Sequence, residues 1–466
     1  MSTHTPQKAT EASSNAMLLI MARLHFYIGF FVGPFIFIAA LTGTLYVISP
    51  QIESALYKAV LTTQSVGENA PLSQQIAAAK AQLPQDLTLF AVRPAPEQGS
   101  TTRIMFLDPN AEYSGARAVF VDPVTLEVKG NLPVYGTSGS LPLRTTISFL
   151  HRQLLLSEIG RYYSELAASW LWLSAIGGVF LWYKGGKKNK AEFANKSNLL
   201  RKRRRHFQLG LVLFIGLMFV SITGLTWSKW AGDNISTVRH SLGWITPSVN
   251  QDLNAAPEDT MTSDEHADHL DHASHHRTAI KKQPMERFEN VDVLFDGVLK
   301  AAKEAGIDAD KLEIRPSSTK DKAWRVSEID RSWPTQVDSV AVDANTMTVT
   351  SRADFDSFPL VAKLIRWGID AHMGVLFGIA NQIILAIFGL SLCLMIIWGY
   401  AMWWIRRPQA GSTAKPALQA WSKLSIQQKI MTLLIAIALG LFMPVMGISL
   451  IVFLLIDCYR WKLHSA

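Results

Sequence analysis

The chain has 466 residues, 49% of them hydrophobic and 18% charged, with a formal net charge of +8. The apolar residues come in blocks too long for an ordinary soluble protein, and the charged stretches between them exclude a chain that is all membrane. Its two cysteines, Cys393 and Cys458, exclude a disulfide framework and any cysteine-ligated iron-sulfur cluster, which takes about four thiolates.

A polar segment, residues 1 to 16, leads into a first apolar run at 28 to 48. This run is long and lacks a small-residue cleavage site, so it reads as a retained anchor and not as a signal peptide. Runs at 166 to 183, 209 to 227 and 383 to 404 follow. Each is near the roughly 20 residues that carry a helix across about 30 Å of hydrocarbon. Residues 430 to 456 are apolar but broken by Pro444 and Gly447, giving either one long tilted helix or a tight pair of short spans. The basic tail, Arg460 and Lys462, favours the pair and six spans in all.

Lysine and arginine crowd the loop from Lys184 to Arg205 and recur at Arg406, Arg407 and Lys415. The positive-inside rule makes both loops cytoplasmic and accounts for the basic balance without nucleic acid. The regions 50 to 143 and 230 to 359 then lie outside, which in a bacterium means the periplasmic face of the inner membrane. The first is expected to hold a helix at 72 to 83 and strands at 87 to 92, 102 to 107 and 118 to 122. The second repeats that order at 291 to 305, 311 to 314, 323 to 326 and 339 to 342. In each, an Asp-x-x-Thr element, at Asp122 or Asp343, predicts a tight hairpin turn into a further strand.

Landmarks recur at fixed distances. Thr42-Gly43 lies seventeen positions after His25, and Thr223-Gly224 lies seventeen after His206. His151 follows Asp122 by 29 positions, as His372 follows Asp343. Gly178 and Gly399 come 27 positions after His151 and His372, and Trp182 and Trp403 come 31 after them. The chain therefore reads as two copies of one module.

The expected architecture is a polytopic α-helical membrane protein of two repeats with two small periplasmic α+β domains. Its parts are a cytoplasmic N-terminus with the first span (1–49), the first external domain (50–143), an interfacial helix with His151 and the second span (144–184), and a basic loop (185–205). Then come the third span (206–229), the second external domain (230–359), an interfacial helix with His372 and the fourth span (360–405), and a loop with the C-terminal hydrophobic hairpin (406–466). The second external domain carries forty additional residues, with an insertion at 261–277 in which His266, His269, His272 and His275 recur every third residue and His276 follows. A helix aligns these roughly on one side, and imidazole with interleaved Asp suits zinc, copper or iron; a solvated loop is the competing reading.

Ionisable residues at membrane depth are costly and mark function by default. Haem iron takes axial imidazoles, and two helices presenting one histidine each at the same depth supply both. His25 with His206, near the cytoplasmic face, and His151 with His372, near the external face, thus point to two haems. Interfacial histidines without a cofactor are the competing reading. A non-haem metal is disfavoured because no carboxylate or cysteine stands at the third or fourth position along these helices. Arg23, Arg205, Arg144 and Arg152 adjoin the histidines and serve either haem propionates or the membrane boundary. No Ser-His-Asp order, His-Glu-x-x-His or glycine-rich phosphate loop is found, and no catalytic side chain is assigned.

Arg23-x-His25-x-Tyr27-x-Gly29 with Leu41-Thr42-Gly43, the Leu150-His151-Arg152 element and Ile222-Thr223-Gly224 resemble the PepSY-associated transmembrane helix proteins, among them iron-regulated membrane proteins and siderophore reductases. The resemblance covers about residues 20 to 408. It implies periplasmic PepSY domains near 53 to 135 and 285 to 352 and, for the reductase members, two b-type haems carrying electrons outward to ferric siderophores. The chain departs from the pattern in its histidine-rich insertion. The expected function is a di-haem b inner-membrane reductase, fed by a cytoplasmic donor, that reduces a periplasmic ferric siderophore and releases Fe(II). Copper is the second choice of metal because of the histidine loop. The alternative is a non-enzymatic PepSY membrane protein that regulates a peptidase or assists metal uptake.

Overall fold

The computed structural model describes residues 6–84, 87–108, 115–136, 139–194, 197–254, 262–263, 288–317, 319–407 and 417–465. The insertion histidines His266, His269, His272, His275 and His276 lie outside the described residues. The chain divides into two compact units, one made of residues 1–47, 148–241 and 383–466, the other of 48–147 and 242–382.

The first unit is helical. Helix α1 (Pro6–Tyr27) runs through a π-helical turn (Ile28–Val32) into α2 (Gly33–Leu56). Such a turn shifts one backbone carbonyl out of register, and here the Tyr400 hydroxyl donates to the Phe30 carbonyl oxygen at 2.6 Å. Four stretches are long and apolar enough to cross a membrane: Ala16–Leu56, Ser157–Gly185, Asn198–Thr226 and Gly378–Arg406. They are longer than the apolar runs alone, because polar turns at both ends continue the same hydrogen-bond ladder. Their buried faces meet in one cluster that includes Tyr27, Val32, Trp170, Leu217, Leu392 and Phe453.

The C-terminal apolar stretch is a pair of helices, Ile426–Phe442 and Pro444–Ser465. Pro444 has no N–H to donate, so the ladder ends at Met443. The two helices approach so closely that a Cβ on Gly447 would stand 2.8 Å from the Gly440 Cα. This pair is tied to the long helices: the Trp170 Nε1–H donates to Ser449 Oγ at 2.8 Å, and the Tyr27 hydroxyl donates to the buried Asp457 carboxylate.

The second unit is built on an antiparallel sheet. Its strands are β1 (Thr88–Arg93), β2 (Thr102–Leu107), β3 (Ala116–Val121) and β4 (Val128–Pro133) from the first region, and β7 (Leu312–Arg315), β8 (Trp324–Glu328), β9 (Ser339–Asp343) and β10 (Thr348–Ala353) from the second. Two-residue strands β5 (Pro247–Ser248) and β6 (Thr262–Ser263) form a separate pair. The expected strands are present with ends shifted by a few residues, and the expected helices are Leu72–Lys80 and Leu294–Glu304.

The two regions expected as separate small domains share one eight-stranded sheet, ordered β10-β9-β8-β7-β1-β2-β3-β4. β1 and β7 meet through the register pair Val92↔Ile314. An isolated four-stranded sheet leaves an open edge that templates aggregation, and pairing β1 with β7 covers one edge of each set.

Alternation sends Val92, Ile104, Val119, Ile314, Trp324, Val326 and Val340 to one face, where Ile76, Phe295 and Val298 of the two helices cover them. Phe295 and Trp324 are fully buried with ring centroids 4.7 Å apart. Phe295→Ala is expected to cost about 3–5 kcal/mol, read as a lower urea midpoint for proteolytic cutting within the sheet unit. An unchanged midpoint contradicts this account of the core.

Both Asp-x-x-Thr hairpins form. The Asp122 Oδ1 accepts from the N–H groups of Val124 and Thr125 at 2.9 and 3.2 Å, and the Asp343 Oδ1 accepts from Asn345 N–H at 2.9 Å. Each turn then passes through a left-handed residue, Leu126 (φ 64°) or Met347 (φ 56°). Burial pushes the Asp122 carboxyl up, but hydroxyls of Ser65 and Thr63 with the two amides outweigh it and hold the group below the usual carboxylate range.

Candidate functional site

Three of the four expected histidines belong to the helical unit. His25 stands near the end of α1, and its Nδ1 lies 3.1 Å from the carbonyl oxygen of Ser174. His206 stands on the helix Asn198–Thr226, with its Nδ1 3.0 Å from the carbonyl oxygen of Met395. A carbonyl only accepts, so each Nδ1 carries the proton and each Nε2 keeps its lone pair. Ser174 and Met395 are separated by 221 positions, the same interval that separates His151 from His372 and Gly178 from Gly399.

The glycines at those places explain why the rings fit. A Cβ added to Gly178 would stand 3.3 Å from His25 Cε1, and one on Gly399 would stand 3.8 Å from His206 Cε1.

His151 lies on the helix Pro142–Gln153. Its Nδ1 is 3.0 Å from Thr42 Oγ1. The Thr42 hydroxyl donates within its own helix, its Oγ1 2.7 Å from the Ile38 carbonyl oxygen, so Thr42 accepts from His151 Nδ1–H. The Nε2 lone pair is again left available. A Cβ on Gly43 would press to 3.2 Å from His151 Cε1. Thr42-Gly43, visible in the sequence as a landmark, is thus the seat of a histidine 109 residues away. The equivalent hydroxyl, Thr223, bonds its own helix in the same way, at 2.7 Å from the Phe219 carbonyl oxygen.

His372 belongs to the other unit, where it closes the helix Leu360–His372. Two residues before it, the fully buried Asp370 accepts from Arg366 Nε at 3.1 Å, and the Val375 N–H donates to the Asp370 carbonyl at 2.8 Å. These contacts stop the helix and hold the turn that carries His372.

Of the arginines, Arg23 is half-buried on α1 and Arg205 is exposed beside His206. Arg152 sits over the ring of Phe149, 4.9 Å from its centroid. The Arg144 backbone N–H donates to Glu53 Oε1 at 2.9 Å. Among the described residues no group of three or more His, Cys, Asp or Glu side chains is arranged to hold a bare metal ion.

Sequence reasoning missed the partners of the histidines, because Ser174 and Met395 contribute a main-chain oxygen, which no residue type announces. The one available signal was the shared interval of 221 positions. Asp457 was missed as well, although an acidic residue in an apolar helix is itself a mark.

Long apolar helices with seated imidazoles, joined to an antiparallel sheet unit, define a helical membrane protein with an appended sheet domain. The chain belongs to the PepSY-associated TM region family, whose pattern matches residues 22–406. No curated protein matches the chain.

Proposed function

We propose that the chain is a di-haem b reductase of the bacterial inner membrane that takes electrons from the cytoplasmic side and reduces a periplasmic ferric siderophore, releasing Fe(II). The observation that carries the reading is the pair of matched anchors, His25 Nδ1 on Ser174 O and His206 Nδ1 on Met395 O, each with a glycine under the ring. A fixed tautomer that leaves the Nε2 lone pair for iron is what a haem ligand would need, and a backbone acceptor on Nδ1–H raises the basicity of Nε2. The donor chemistry fits a haem: two imidazoles anchored through Nδ1, with a glycine beside each ring.

Haem supplies one-electron chemistry when bound; the chain supplies orientation, burial and a path that excludes water. His25 and His206 hold one group. By the correspondence in sequence alone, His151 and His372 hold the second. Lowering iron from Fe(III) to Fe(II) weakens hard-oxygen ligation and frees it from its chelate. Two repeated modules, with basic loops inside and the sheet unit outside, complete the proposal.

The test of the seat is a glycine substitution. Gly178→Leu fills the space beside His25 and is expected to lower occupancy of the His25–His206 haem by more than half, measured by pyridine haemochrome and the visible spectrum. Gly29→Leu is the control, since a Cβ there meets nothing within 4 Å. Full haem content in both variants, or none in the unsubstituted protein from haem-replete cells, removes the proposal.

A further inference from the structure

A proline and a tyrosine shape the contact between α2 and the helix Gly378–Arg406. Pro34 has no N–H to give the Phe30 carbonyl four residues back. The Tyr400 hydroxyl takes that place from the other helix, donating to the Phe30 carbonyl oxygen at 2.6 Å. Gly33 allows the approach, since a Cβ there would stand 3.4 Å from the Tyr400 hydroxyl oxygen. With its hydroxyl spent on the backbone, Tyr400 offers its ring to the space beside it.

That space is a groove of about 660 Å³ whose wall is wholly apolar. Pro34, Phe37 and Ile38 form one side, and Ile396, Ala401 and Trp404 the other. Both sides belong to stretches long and apolar enough to cross a membrane, so the groove faces hydrocarbon. From Ile396 to Trp404 it follows one helix for eight positions. At the helical rise this is about 12 Å. A cleft of that length with no polar wall suits a hydrocarbon chain and gives a polar ligand nothing to bond.

The groove ends beside two cations. Arg406 and Arg407 follow Trp404 closely in the chain and are exposed. The Arg407 guanidinium lies over the Trp404 ring, 4.4 Å from its centroid. The Arg406 Nε–H turns back to the Met402 carbonyl oxygen at 3.4 Å, which leaves the terminal nitrogens as donors. Among the described residues neither arginine has a carboxylate partner.

We propose that this groove binds one diacyl phospholipid with an anionic headgroup, an acyl chain lying along the apolar wall and the phosphate meeting Arg406 and Arg407. Any lipid covers the wall; the two arginines select the charge. Guanidinium forks match phosphate oxygens with paired hydrogen bonds, and basic positions at the ends of membrane helices attract anionic headgroups. The inference rests on the membrane placement of these helices and on nothing concerning haem or iron.

The test is native mass spectrometry of the full chain in detergent, with phosphatidylglycerol and phosphatidylcholine of identical acyl chains. The first phosphatidylglycerol is expected to bind about tenfold more tightly than the first phosphatidylcholine. Arg406→Gln with Arg407→Gln is expected to bring the two within about twofold. Ala401→Phe fills the groove and is expected to weaken phosphatidylglycerol about fivefold. Lys184→Gln, at the exposed end of the stretch Ser157–Gly185, is the control and is expected to change binding by less than about twofold.

Equal binding of the two lipids overturns the inference, as does selectivity that survives the double arginine variant. Equal weakening by Lys184→Gln overturns it too, since that would mean a diffuse charge effect. Full phosphatidylglycerol binding by folded Ala401→Phe removes the groove from the site. If Ala401→Phe does not elute as a folded species, glycerol 3-phosphate replaces it as the probe of the groove, because it carries the phosphate without the chains. Glycerol 3-phosphate binding as tightly as phosphatidylglycerol then overturns the inference, and binding at least tenfold weaker supports it.

Discussion

Detergent-purified protein from haem-replete cells is expected to carry two b-type haems per chain, and His25→Ala or His206→Ala to remove one of them. The reason is geometric. The two imidazoles come from different helices, His25 held through Nδ1 by the main chain of the second span and His206 by that of the fourth. An axial pair is lost when either member is lost, so single substitutions at His25 and His206 are expected to give the same one-haem spectrum. His151→Ala and His372→Ala are expected to give the complementary one. Haem content is read by pyridine haemochrome and the remaining absorption bands by spectrum. Proportional loss of both haems from every substitution would mean that the pairing is wrong.

Electron delivery is expected to be one-sided. In oriented vesicles, dithionite-reduced haem should be reoxidised by a ferric hydroxamate or ferric citrate added on the side of the sheet unit at least tenfold faster than by one added on the side of the basic loops. The factor is an order-of-magnitude expectation, since a closed helical unit keeps a charged chelate out of hydrocarbon. By the positive-inside rule the charge of the Lys184 to Arg205 loop is expected to keep that loop on the cytoplasmic side. His151→Ala should slow reoxidation from the sheet side while the His25–His206 haem stays reducible. Equal rates from both sides, or no reoxidation by any ferric chelate, would leave no place for the reductase.

Much of this protein was legible in the sequence. The spans follow from apolar runs of sufficient length, because hydrocarbon demands that every backbone group bond within its own helix. The strands follow from alternation, and the two hairpins from Asp122 and Asp343, whose carboxylates bond the amides that follow. Equal spacings picked out the histidines.

What the sequence could not contain is the set of partners. The Nδ1 acceptors lie 149 and 189 residues from His25 and His206 and are main-chain oxygens, identical at every position until helix packing selects one. The role of Gly178 is equally invisible, since a glycine under a ring looks like any other glycine until the ring arrives. The joining of two strand sets into one sheet rests on the meeting of β1 with β7, strands 220 residues apart. That pairing sets Arg93 and Arg103 beside Glu313, Arg315 and Arg325. Residue types and local order are carried by the chain itself; the distances that bring His25 to Ser174, His206 to Met395 and Arg93 to Glu313 exist only once distant backbone segments are packed together.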